Sequence, residues 1–427
     1  MPLTPGQLLD LQVEKPASGG RMIARHEGEV VLVGGAIPGE RVTARVSRAD
    51  KRVAFADTVT VLEPSADRRE PPGDPACGGC LYGFVKYPRQ LLLKAEIIRD
   101  AFVRIGRVPF EDAIEVAGSA ERGYRMRARF HVREGRPGFY REGTHEFCEP
   151  RQTGQVLDAS IGAVEAAVAS LAAQGLGVLS VELSENIGGE QRALHFDILA
   201  GRVSIDALER AATAAGLNGC TARGRDTTFY SAAEPTVSDP ITVLTSGRVA
   251  SEGTLRRHPE AFFQANRFLI ETLVLAVMDS VRPGPVLDLY AGVGLFSVAL
   301  AGTAGATEIT AVEGDSISGR DLLVNAAPYP GRLRVLRSSV EAYLAQRDRA
   351  VPETVIVDPP RTGLSKAAAD GIAHSGAPRI IYVSCDAPTM ARDARRLLDG
   401  GYRLASLRGF DLFPNTPHVE TLGVFER

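Results

Sequence analysis

A cysteine followed by an aspartate, in Val383-Ser384-Cys385-Asp386, and a carboxylate further along the chain, Glu420 in His418-Val419-Glu420, are the residues best suited to covalent chemistry. A free thiol, with a pKa near ~8.5, is only slightly ionised at neutral pH yet is far more nucleophilic than a hydroxyl. A nucleophile and a separate base together suit addition of sulfur to an electron-poor carbon, followed by proton removal and expulsion of the sulfur. Glu420 is the candidate base, with His418 as the alternative. Upstream stands Asp358-Pro359-Pro360-Arg361. Its consecutive prolines fix φ and remove amide donors, so the turn is stiff and can present Asp358 to a planar base. Taken singly, a cysteine is most often a small buried hydrophobe and a glutamate a solvated surface group. The weight therefore rests on the elements that position them.

Those elements begin with Gly284 to Phe296, an apolar strand, a glycine loop carrying Gly292 and Gly294, and a helix over Leu295 to Ala301. Glycines there let the backbone approach a ligand at the carboxyl end of a parallel strand. Glu313 ends the next apolar run, Ile309-Thr310-Ala311-Val312, where an acidic side chain can accept both hydroxyls of a ribose. Further strands over Thr354 to Val357 and Arg379 to Val383 complete a βα alternation and hence a parallel sheet, with Asp358 and Cys385 at its carboxyl edge. A nicotinamide-linked oxidoreductase would share the glycine loop but would leave Cys385 and Glu420 without a role.

The amino-terminal half has a different rhythm. Short β-branched runs, Leu9 to Val13, Met22 to Arg25, Glu29 to Val33, Glu40 to Ser47 and Ala54 to Leu62, alternate with glycine turns and predict a small antiparallel barrel; such barrels can bind oligonucleotides along one face, while taken alone this one reads as a structural module with solvated charges. A proline-rich connector over 64–75 leads to Cys77-Gly78-Gly79-Cys80, and apolar spacing then predicts a helix over Gln90 to Ile105, stopped by Gly106. Arg125, Arg127 and Arg129 share one face of a predicted strand. They must meet either a polyanion, as a phosphate-contacting surface would, or acidic residues placed opposite.

With 427 residues, the chain exceeds one ordinary core. The expected organisation is α/β and multidomain: a barrel over 1–63, a central α+β region with the cysteine-bearing linker over 64–255, and a Rossmann-like domain over 256–427. A net charge of -3 rules out a uniformly basic coat, so an RNA partner requires local basic patches. Five cysteines do not make a disulfide scaffold. No apolar run is long enough to span a bilayer and the start does not read as a signal peptide, so a cytoplasmic monomer without a membrane partner is expected.

Phe262-Phe263-Gln264-Ala265-Asn266, Asp288-Leu289-Tyr290-Ala291-Gly292-Val293-Gly294, Asp358-Pro359-Pro360-Arg361, Ser384-Cys385-Asp386 and Phe410 to Glu420 resemble, in order and spacing, the motifs of the RNA uracil-5-methyltransferase family. Positions 6–62 resemble a TRAM domain, the RNA-binding barrel of its ribosomal-RNA members. The resemblance implies methylation of carbon 5 of a uridine by S-adenosylmethionine, with Cys385 adding to carbon 6 and Glu420 taking the carbon 5 proton. It implies that Gln264, Tyr290, Glu313 and Asp358 contact the cofactor or the target base, and it favours rRNA over tRNA. Barrel-bearing members also hold a [4Fe-4S] cluster. Cys77, Cys80 and Cys148 match three of its ligands, while Pro71 occupies the place of the first. Asp74 or Cys220 could complete the set, or the site carries a three-ligand or degenerate cluster. A non-catalytic RNA-binding or RNA-folding factor is the alternative reading of the whole chain.

Overall fold

Alternating burial along five short strands closes the amino-terminal barrel. A computed structural model describes residues 3–108, 110–250, 253–346 and 350–427. Its first strands are β1 (Leu8–Pro16), β2 (Met22–His26), β3 (Glu29–Gly34), β4 (Arg41–Ala49) and β5 (Val53–Glu63), in the order β1-β2-β3-β5-β4. The inward residues, among them Leu9, Leu11, Val13, Val31, Val33, Val42 and Ala44, are buried at every second position, as a period of two requires. The expected barrel is present, with one difference. β3 and β5 run parallel, so it is not purely antiparallel. Glu40, just before β4, is fully buried and accepts from the Arg68 guanidinium and from the Ile37 and Ser65 amides, which fastens the barrel to the proline-rich connector.

The predicted linker helix is α1 (Tyr87–Asp100), entered through Pro88 and continued as a π-helical turn over Ala101–Gly106. It ends at Arg107, whose φ of 51° is left-handed, rather than at Gly106. Downstream, the two-residue strand β6 (Val116–Ala117) pairs in parallel at the edge of the carboxyl-terminal sheet.

The central region is a seven-stranded sheet covered by helices Asp158–Ala173 and Ile205–Ala215. Its strands are β7 (Arg127–Arg133), β8 (Arg136–Tyr140), β9 (Phe147–Cys148), β10 (Gly177–Glu185), β11 (Arg192–Ala200), β12 (Gly219–Arg223) and β13 (Phe229–Ala233). Register explains the arginine stripe. β10 lies antiparallel to β7 with Glu182 opposite Arg129. Arg127 pairs with Glu182 at 2.9 Å and Arg129 with Asp197 at 3.1 Å, while Arg125 donates inward to Gln155 at 2.8 Å. Arg127 and Arg129 are thus met by carboxylates within the protein and Arg125 is held by neutral acceptors, so the expected phosphate-contacting stripe is not a free cationic surface.

A two-stranded ribbon, β14 (Val237–Pro240) and β15 (Thr254–Arg257), leads into the last sheet. That sheet comprises β16 (Gly284–Leu289), β17 (Ala306–Glu313), β18 (Leu333–Arg337), β19 (Thr354–Val357), β20 (Arg379–Ser384), β21 (Arg403–Phe410) and β22 (Glu420–Glu426), in the order β18-β17-β16-β19-β20-β22-β21-β6. Seven strands run in one direction, and β22 alone is reversed, inserted antiparallel between β20 and β21. The strand order reverses beside β16, and ligands of open parallel sheets bind outside the carboxyl ends at such a switch point. Among the described residues, no helix is long and apolar enough to cross a membrane.

Candidate active site

β20 and β22 place the reactive pair. Ser384 lies opposite Thr421 in their antiparallel ladder, so the next positions outward, Cys385 and Glu420, face each other. Both line a cavity of about 770 Å³ that runs along the carboxyl edge of the sheet. Asp358, Pro359, Pro360, Arg361, Gln264 and Phe413 surround this reaction end. At the far end the same cavity reaches Tyr290, Gly292, Glu313 and Asp315. This volume sits within the ~300–1,000 Å³ usual for small-molecule sites.

The glycine loop shapes the far end. Gly292 (φ +58°) has open space where a side chain would project, and its amide donates to Glu313 Oε2 at 2.7 Å. Tyr290 holds a left-handed φ of 60°, costly for a bulky residue and frequent at ligand sites. Gly294 does something else. It does not line the cavity, and a Cβ there would approach Leu322 Cδ1 to 2.7 Å, so its bareness permits close helix packing and not ligand contact.

Electrostatics distinguish the two ends of the catalytic pair. Burial pushes the Cys385 thiol up to about 11, Glu420 adds to the rise, and Arg361 pulls it back. Glu420 is 2% exposed; burial and then the Asp358 charge raise it well above the carboxylate range, against Arg361. Asp358 is raised to about 7 by burial and by Asp288, and Gln264 Nε2 donates to it at 3.3 Å. His418 is held down at about 4 by burial and by the cations Arg361, Lys94 and Arg125, so it is neutral at physiological pH.

Asp288 was not singled out as a site residue by the sequence. It is 1% exposed, raised to about 7 by burial, and one of its oxygens accepts from Ser297 while Oδ1 has no partner among the described residues. Its sequence signals were an acidic residue inside an otherwise apolar strand and its place at the head of the glycine-loop motif. Asp288, Glu313, Asp358 and Glu420 together make a desolvated acidic environment in which burial, with little compensating positive charge, raises each group's affinity for a proton. A cationic ligand such as a sulfonium with an ammonium group would supply that charge, so these residues fit S-adenosylmethionine.

The cysteine motif does not fit an iron–sulfur cluster. Cys77, Cys80 and Cys148 do converge, but Cys77 and Cys148 are joined in a disulfide and Cys80 is a buried free thiol. Asp74 is engaged by Arg141 at 2.7 Å. Cys220 lies in the central core, its thiol directed at the Leu208 carbonyl, and cannot complete the set. No group of three or more His, Cys, Asp or Glu suited to a metal occurs among the described residues. A four-thiolate cluster needs ligands that this site lacks.

Comparison with known proteins agrees with the two-part architecture, a barrel followed by a methyltransferase fold. The model of the tRNA (uracil-5-)-methyltransferase family matches residues 248–427, and the TRAM domain model matches residues 2–59. An uncharacterized RNA methyltransferase of Streptomyces coelicolor is 32% identical over 99% of this chain and 93% of its own length. The 23S rRNA (uracil(1939)-C(5))-methyltransferase RlmD of Alkalilimnicola ehrlichii is 32% identical over 96% of this chain and 94% of its own. The chain belongs to the RNA uracil-5-methyltransferase family. As a member it is an S-adenosylmethionine-dependent RNA (uracil-5-)-methyltransferase with an amino-terminal TRAM domain. The same fold occurs in the Pyrococcus abyssi tRNA (uracil-54, C5)-methyltransferase, solved with S-adenosyl-L-homocysteine. The TM-score is 0.75 with 21% identity, covering 97% of this chain and 99% of that one.

Proposed function

We propose that this methyltransferase modifies a uridine of 23S rRNA through a covalent Cys385 adduct resolved by Glu420. The observation that carries the proposal is the juxtaposition of Cys385, just beyond β20, and Glu420, at the start of β22, in one cavity with the glycine loop. Uracil carbon 5 is a weak nucleophile. Addition of the Cys385 thiolate to carbon 6 moves electron density to carbon 5, and S-adenosylmethionine supplies the electrophilic methyl group. The Glu420 carboxylate then takes the carbon 5 proton, the carbon 6–sulfur bond breaks, and the thiolate returns. The cycle yields 5-methyluridine and S-adenosylhomocysteine and releases one proton to solvent through Glu420. Glu420's raised affinity for a proton suits it to this removal, and Arg361 beside the thiol favours the ionised sulfur. Neutral His418 lacks a comparable drive, since its proton affinity is depressed.

On this reading Gln264 and Asp358 hydrogen-bond the pyrimidine edge and Glu313 holds the ribose of the cofactor, with Tyr290 and Gly292 beside it; their lining of one cavity with Cys385 and Glu420 supports it. An rRNA target is supported by the RlmD relatives, which match nearly the whole chain at 32% and 30% identity. The reading places the enzyme in the cytoplasm as a monomer, flipping its uridine out of folded RNA to reach the ring.

The test incubates Glu420→Gln with an unmodified 23S rRNA transcript and S-adenosylmethionine, and reads the mixture by denaturing electrophoresis and mass spectrometry. A protein–RNA adduct bearing one added methyl, and absent when Cys385→Ala is combined with it, is the expected result. RNA bound without any adduct, by an enzyme whose wild type leaves the transcript unmethylated, would overturn the assignment.

A further inference from the structure

The loop that delivers Glu420 to the cavity is held by a part of the chain that contributes nothing to the cavity lining. Asn415 stands in the middle of that loop, 3% exposed, with a left-handed φ of 64°. Its amide donates to Gln90 Oε1 at 2.9 Å. Its side-chain Oδ1 accepts from Gln90 Nε2 at 2.9 Å and from Arg69 Nη2 at 2.8 Å, and its carbonyl accepts from the Tyr82 amide at 2.8 Å. Gln90 is itself fully buried and also reaches the Tyr82 and Val85 carbonyls.

One helical turn on, Lys94 presents the same face of α1. It forms an ion pair with Asp411 in which both side chains are fully buried, and it donates to the Phe413 carbonyl at 3.1 Å. Gln90 and Lys94 therefore grip the middle and the beginning of one loop. At its far end Pro417 abuts Gly20, in the turn between β1 and β2, where a Cβ would come within 3.1 Å of Pro417 Cγ. A buried ion pair is a poor source of net stability, because desolvation offsets the attraction, but it fixes geometry strongly. The direct continuation of this loop is Val419 and then Glu420.

We infer that α1, through Gln90 and Lys94 and with Arg69 as a brace, is a positioning device for the resolving base, and that Asn415 is the joint through which it acts. This rests on Glu420 being that base. Adduct formation depends on Cys385, which directly follows β20 and lies outside this loop; proton removal depends on the loop. A displacement of about 1 Å at a reacting group can cost ~10²-fold in rate.

The test uses the full chain, single-turnover conditions and the 23S rRNA transcript, and measures formation and resolution of the adduct separately. Asn415→Gly keeps a left-handed backbone without strain and removes the acceptor of Gln90 and Arg69. The expected result is adduct formation within about twofold of wild type but resolution slowed ~10- to 100-fold, so that methylated adduct accumulates. Asn415→Asp, which retains the acceptor and tolerates the same φ, should resolve at close to the wild-type rate. Gln90→Leu should behave as Asn415→Gly wherever its thermal unfolding midpoint shows a folded protein.

Equal slowing of both steps, or turnover without accumulation, would overturn the positioning role. Glu420→Gln run alongside separates the two levels. If it traps methylated adduct and Asn415→Gly does not, the positioning inference alone fails. If Glu420→Gln traps nothing, the assignment of the base fails and the inference with it.

Discussion

Two cysteine sites in one chain offer a direct contrast. Cys385 and Cys80 are both pushed up to about 11 by burial, yet their surroundings differ in kind. Cys385 opens onto a cavity, faces a carboxylate across a strand ladder and has Arg361 against it. Cys80 is fully buried beside the Cys77–Cys148 disulfide, and its charged neighbour is Asp74, which raises its proton affinity further. The difference teaches that burial alone does not separate a reactive thiol from a structural one. What separates them is a cation to favour ionisation and an open path for an electrophile.

The sharpest way to break the contrast is to remove each thiol in turn. Cys385→Ala should abolish adduct and lower methylation by about 10⁴-fold or more, with little change in unfolding midpoint. Cys80→Ala should leave kcat/KM within about twofold. An activity loss in Cys80→Ala comparable to that of Cys385→Ala would erase the distinction.

Breaking the disulfide addresses stability and not chemistry. It closes a loop with a sequence separation of 71 residues, so Cys148→Ser should cost about 2–4 kcal/mol in denaturant unfolding. Reductant should destabilise the wild type to the same extent and the variant not at all. Initial methylation rates at saturating substrate should be little changed.

Asp358→Asn sharpens the electrostatic half of the comparison. Its folded-state pKa of about 7 lies above the ordinary carboxylate value, so the native state holds a proton that the unfolded chain releases. The resulting stability penalty is absent at low pH, grows as pH rises from about 4 to about 7, and is constant above. The variant should therefore unfold at a higher temperature than wild type at pH 8 and at the same temperature near pH 4, while losing methylation ~10²-fold. The buried histidines act with the opposite sign. His195, His258 and His418, each near 4 in the fold, contribute stability that is complete above about 6.5 and is lost as pH falls toward 4. Guanidinium titrations from pH 8 to pH 4.5 would check that decline.

The smallest effect is expected at Arg129, whose partners Asp197 and Ser180 are intramolecular and which is about half exposed. Arg129→Ala should change stability by less than about 1 kcal/mol and leave the salt dependence of RNA binding unaltered. A slope reduced by about one would restore the phosphate-contacting role that register argues against.

The sequence disclosed what short-range pattern encodes. Period-two burial and glycine turns made the five barrel strands readable, and the strand–glycine–helix order from Gly284 to Ala301 made the cofactor loop readable. The motifs around Asp358, Cys385 and Glu420 come together because each ends or begins a strand on the same sheet edge. Long-range pairing was not readable. Nothing local to Arg127 and Arg129 announces Glu182 and Asp197, and Val116 and Ala117 are too short a run to mark an edge strand. Spacing also could not tell thiols that bind metal from thiols that bind each other, because Cys77, Cys80 and Cys148 converge in either case. Gln90 and Asn415 are separated by 325 positions, and their contact arises only from docking of α1.

The insertion of β22 between β20 and β21 has a consequence in time. A ribosome synthesises β20 and β21 before it reaches residue 420, so these two strands cannot yet be joined by their later neighbour. A chain synthesised only to that point already carries the glycine loop and Cys385, but not the carboxylate that faces the thiol in the finished fold. The nucleophile thus exists on the growing polypeptide before its resolving partner, and the two become a pair only when β22 slides into the gap. The order of synthesis delays the capacity for turnover until the sheet is closed.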